Sequence, residues 1–149
     1  MPIHGSAILY EVKNMALISW TSEFELNIEE IDRQHRLLVD IVNELYEAVR
    51  AGKENKVLEK LLNKLVHYTV FHFAREEHFF EVFGYPETEA HVREHDGFEK
   101  QVSDFIADFE TGKKQLSMDI LRFLSNWLVN HIKRRDRAYA EFMIARGLH

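Results

Sequence analysis

Chain breakers are scarce in this sequence. Two prolines and six glycines in 149 residues are few breakers, and they separate four long helical stretches. In the first, Asn27 followed by Glu30 reads as an N-cap pair. Ile31, His35, Leu38, Val42, Leu45 and Val49 then recur at spacings of four and three, an inward helical stripe, and Gly52 is placed to end it. The second helix runs from near Asn55 to the breakers Gly84 and Pro86. The third runs from about Pro86 or Thr88 to Glu110, before Gly112. Ser117 is placed to cap a fourth that continues to Gly147. No segment keeps the alternation of a strand. Short connections make successive helices antiparallel neighbours, so the predicted fold is all-α: an up-down-up-down antiparallel four-helix bundle. Residues 1–26 form an irregular N-terminal arm, pinned by Trp20, Phe24 and Leu26, and residues 27–149 form the bundle domain.

Composition narrows the function. Nineteen basic and 25 acidic residues give a net charge of −6, which argues against binding to a phosphate backbone. The absence of cysteine removes disulfides, thiolate metal sites and thiol nucleophiles. No apolar run approaches the length of a membrane span, and the N-terminus lacks the pattern of a secretory signal. The expectation is a cytoplasmic protein without nucleic-acid or membrane partners. Residues 1–14, before Met15, read as an extension of undetermined origin.

The nine histidines carry the chemistry. Residues four apart share a helix face, as do His72 and Glu76, and His91 and His95. His35 lies within the apolar stripe of the first helix. His131 follows Trp127 by four, and Asp136 follows His131 by five. A single histidine on an apolar face is most often a satisfied core residue. Five imidazoles and two carboxylates directed inward from all four helices are different, because burying them requires a partner for their lone pairs. Metal ions meet that need, and nitrogen and oxygen donors suit iron, manganese, cobalt or zinc. Seven donors exceed the demand of one ion, so two are implied. No histidine has a glutamate three residues before it, which excludes the ferritin-like signature. His67 and His78 fall off the inward face, and His4 and His149 are terminal.

IDRQH at 31–35, HFAREE at 72–77, GYPETEAHVREHDGF at 84–98 and WLVNHIKRRDRAY at 127–139 together resemble the hemerythrins, especially the single-domain bacterial ones. The resemblance covers about residues 15–145. It implies two iron ions, with His35 and His72 on one and His91, His95 and His131 on the other. Glu76 and Asp136 would bridge both, together with an oxo or hydroxo group. One iron would then keep an open position for dioxygen, or for a small anion such as azide. Phe79 and Phe80 stand where many relatives carry Leu or Met. Leu38, Phe73, Trp127, Leu128 and Ile132 resemble the family's apolar ligand pocket, although bundle core would look the same. The implied function is reversible dioxygen binding by a carrier, store or sensing module, with no catalytic residues. The alternatives are a diiron enzyme acting on peroxide or nitric oxide, and an oxygen or redox signalling domain. His131 and Asp136 pose a geometric problem, since five residues place them about 140° apart on a regular helix. Either the helix widens there by one i→i+5 turn, or it stays regular with the metal pair between the two side chains.

Overall fold

The computed structural model describes residues 16–149; His4 and the 1–14 extension lie outside the described residues. Four helical rods make the predicted antiparallel bundle: α1 (Glu29–Arg50), α2 (Asn55–Phe83), α3 (Thr88–Glu110) and a last rod in three parts. That rod begins as α4 (Met118–Asn130), passes through a π-helical turn (His131–Asp136) and continues as α5 (Arg137–Ile144). There is no strand among the described residues. α1 packs against α2 and α4, and α2 packs against α3.

The stop signals act as the sequence suggests. Gly52 and Gly84 adopt left-handed backbone, with φ of 68° and 63°. Beyond them the N–H groups of Lys53 and Tyr85 return to the carbonyls of Ala48 and Phe80, closing the last helical turns. The Ser117 hydroxyl accepts from the Ile120 N–H, capping α4. The start of α1 differs from expectation. Asn27 is not its cap: Asn27 has φ of 66°, a conformation asparagine tolerates, and Ile28 is the flanking residue. Asp32 reaches back and accepts from the N–H groups of Leu26 and Asn27 at 2.8 and 3.0 Å. The turn lets both Leu26 and Ile28 enter the core, which a helix starting at Asn27 would not. At the other end the last helix stops at Ile144, short of Gly147.

The core is split in two. A larger cluster includes Leu38, Val42, Leu65, Phe73, Phe98, Leu124 and Leu128. A smaller one holds Leu26, Ile28, Ile31, Phe80, Tyr85, Tyr139 and Met143. On α1 the larger cluster begins at Leu38 and the smaller ends at Ile31, so His35 falls between them. α2 and the last rod also contribute to both clusters, with Glu76 and Asp136 between their two contributions, whereas α3 contributes only to the larger one. The arm closes one edge: Phe24 and Leu26 are buried, while Trp20 is half-buried and stacks on Phe24.

Candidate metal centre

His35, His72, Glu76, His91, His95, His131 and Asp136 are all buried, and Glu76 and Asp136 are fully so. Their polar atoms converge. Asp136 Oδ2 lies 3.0 Å from His35 Nε2, and Oδ1 lies 3.1 Å from Nε2 of both His91 and His131. Glu76 Oε1 lies 3.2 Å from His72 Nε2 and 3.3 Å from His95 Nε2. The donors sort into two groups, each within 4.8 Å: His35, His72, Glu76 and Asp136; and Glu76, His91, His95, His131 and Asp136. Both carboxylates belong to both groups.

The π turn makes this possible. In a widened turn residues five apart align as residues four apart do in an α-helix, so His131 and Asp136 face the same interior point. Of the two geometries open at the sequence level, the widened turn is the one found. Three side chains hold the outside of this turn. Lys133 pairs with Glu23 and lies over the Phe24 ring, Arg135 pairs with Glu94, and Arg137 donates to the Glu23 carbonyl.

Residues behind the donors fix their orientation. Glu30 accepts a bidentate pair from Arg75 and a hydrogen bond from Gln34 Nε2. That turns the Gln34 carbonyl toward His72 Nδ1, 2.7 Å away. Nδ1 therefore carries the proton and Nε2 points inward with a free lone pair. Glu77 does the same for His95 at 3.0 Å, and Glu94 Oε2 lies 3.3 Å from His131 Nδ1. Tyr139, fully buried, donates its hydroxyl proton to Glu76 Oε2. None of Gln34, Glu77, Glu94 and Tyr139 was picked out from the sequence. Tyr139 had a signal, since it lies one turn beyond Asp136. Gln34 had another, as a polar residue adjoining the inward stripe.

Electrostatics and hydrogen bonding test whether cations fit. Burial, and for Glu76 the neighbouring Asp136, push these two carboxyls up, but the surrounding histidines outweigh that and hold both well below the usual range. Both carboxylates are therefore buried as anions, which is costly without positive charge nearby. His35 Nε2, His91 Nε2, Glu76 Oε1 and both Asp136 oxygens make no hydrogen bond. His95 Nε2 and His131 Nε2 face each other at 3.1 Å, a contact that a shared proton or a cation can occupy. The donor set fits metal ions.

The model of the hemerythrin HHE cation binding domain family matches residues 26–142. The chain belongs to the hemerythrin family. It is similar to the bacteriohemerythrin of Methylococcus capsulatus, 36% identical over 132 residues, covering 88% of this chain and all of that one. The bacteriohemerythrin of Stenotrophomonas maltophilia is also 36% identical, over 85% of this chain and 82% of its own. A crystal structure of wild-type hemerythrin superimposes with a TM-score of 0.81 at 35% identity, covering 85% of this chain and 97% of that one. No helix among the described residues of this hemerythrin is long and apolar enough to cross a membrane.

The expected apolar pocket divides. Leu38, Phe73, Trp127 and Leu128 line one cavity of about 10 Å³, with Leu124 and the Thr69 side chain. That is at the lower limit for a single water. Ile132 is fully buried in the same core cluster but does not line the cavity. Two of the lining rings stack on donor histidines: Phe73 on His95 at 3.7 Å and Trp127 on His131 at 4.4 Å between centroids. Of the two phenylalanines after His78, Phe80 reaches the centre, edge-on to His91. Phe79 is half-buried and lies under the Arg75 guanidinium.

Proposed function

We propose that this hemerythrin binds dioxygen reversibly at a non-haem diiron centre built by the bundle from residue 27 onward. His35 and His72 would hold one iron, His91, His95 and His131 would hold the other, and Glu76 and Asp136 would serve both. The observation that carries this reading is the sorting of the donors into two groups that share both carboxylates. The His35/His72 side would offer its ion one histidine fewer than the other side, which is where a small ligand would find room. When bound, two ferrous ions supply the two electrons that dioxygen takes up.

The remaining work belongs to the protein. Gln34 and Glu77 hold the outer ring nitrogens of His72 and His95, so that each ring turns its inner nitrogen toward the centre. Tyr139 orients Glu76. Phe73, Trp127 and Leu128 keep water from the centre, which protects a bound ligand from protonation and loss. A donor set of five neutral imidazoles and two carboxylates adds little negative charge to support further oxidation, which favours reversible binding over O–O cleavage. Small anions such as azide compete for the open position.

The test is an optical spectrum. Protein loaded anaerobically with iron should hold two ions per chain and develop a ligand-to-iron absorption band in air that disappears on deoxygenation, through repeated cycles. His91→Ala should lower the iron content and the thermal stability that bound metal confers. One tightly held ion per chain in the wild type, or a single irreversible oxidation, would overturn the reading.

A further inference from the structure

The two groups of histidines are backed by different chemistry. On the His91/His95/His131 side, Glu77 accepts from His95 Nδ1 at 3.0 Å, while Glu94 Oε2 stands 3.3 Å from His131 Nδ1 without a hydrogen bond. On the other side His72 Nδ1 meets the neutral Gln34 amide at 2.7 Å, and His35 Nδ1 makes no hydrogen bond. The nearest anion on that side, Glu30, lies beyond Gln34 and is already engaged by Arg75 at 2.8 and 3.0 Å. An imidazole whose outer N–H points at a carboxylate is a stronger donor through its inner nitrogen than one bonded to an amide, and its ring is held in the binding tautomer.

We propose that metal enters in a fixed order, the His91/His95/His131 side first, and that Glu77 sets that order as a positioning residue acting through His95. This rests on the two-ion reading above. It goes further by assigning each half of the centre its own affinity and a one-ion state with a defined location. Such a state has the bridging carboxylates Glu76 and Asp136 already drawn toward a cation, so the second ion meets a prearranged pair of oxygens beside His35 and His72.

A zinc(II) titration of the metal-free protein against a chelator of known affinity reads this without any oxygen chemistry. The wild type should take up two ions in two resolved steps. Glu77→Gln keeps the shape of the side chain and removes its charge. It should weaken the tighter step by about 10–100-fold, the range found for residues behind metal-bound histidines, and leave the looser step unchanged. Glu77 is about one-third exposed, and an unchanged looser step verifies the fold of the variant in the same sample. Two indistinguishable steps in the wild type would overturn the proposal. So would a variant that weakens the looser step or neither step. Uptake of a single ion by the wild type would instead overturn the two-ion reading beneath it.

Discussion

Tyr139 is a phenol enclosed on all sides, with its proton directed at a carboxylate. Burial, then the charges of Glu76 and Asp136, push its pKa well above the ordinary value, so it remains a donor at any pH the fold survives. Tyr139→Phe removes a hydrogen bond to a charged group and should destabilise the metal-free protein by about 1.5–3 kcal/mol, measured by urea unfolding; an unchanged midpoint would show that the contact contributes nothing. Leu128→Ala acts on access. It enlarges the cavity beside Trp127, and should cost about 2–5 kcal/mol in stability while azide binding and autoxidation accelerate at unchanged iron content. Equal azide on-rates in variant and wild type would reduce Leu128 to ordinary core. The inward residues were legible at this scale because helical spacing alone brings His72 to Glu76 and His91 to His95. Gln34 and Glu77 were not, because their partners lie 38 and 18 residues away on other helices. No spacing rule within one helix reports such a pair.

Among the elements, the π turn separates two kinds of legibility. That His131 and Asp136 conflict with a regular helix is arithmetic on the sequence, but which resolution the chain adopts depends on what grips it from outside. Lys133, Arg135 and Arg137 are held by Glu23, Glu94 and the arm backbone, contacts that exist only once the bundle has formed. The start of α1 taught the same lesson in reverse, since Asn27 has the side chain of a cap but burial of Ile28 set the boundary instead. Deleting the exposed Arg134 should return the last helix to regular α geometry with His131 and Asp136 four apart on one face, so the segment beyond keeps its register. Helical content by circular dichroism and uptake of two ions per chain should then both persist. A deletion variant that loses an ion would mean that the widened turn does more than align these two donors.

Across the whole molecule, the centre makes stability depend on pH in a way that metal should reverse. Burial disfavours the charged forms of His95 and His131, yet Glu76 and Asp136 outweigh it and raise both above the ordinary histidine value of 6.5. A raised pKa in the folded state contributes stability that is present below 6.5 and is lost as pH rises through the folded values. His72, lowered by burial, acts oppositely, but only below 6.5. The metal-free protein should therefore melt at progressively lower temperature above about pH 6.5, while the loaded protein, whose histidines bind as neutral ligands, should not. Parallel melting curves for the two forms across pH 6–8 would refute the assignment. The bundle itself was legible because its breakers and apolar stripes are local. The division of its core into two clusters was not, since only the assembled helices bring the polar residues into one layer.

That layer also decides which parts of the chain depend on one another. The first three rods supply His35, His72, Glu76, His91 and His95, the last supplies His131 and Asp136, and the exposed residues 111–115 connect them. A cut there would leave two fragments, each carrying an incomplete set of donors. Cations bound between them would then act as a reversible rivet, with chelators and metal salts controlling whether a severed chain stays one protein or becomes two.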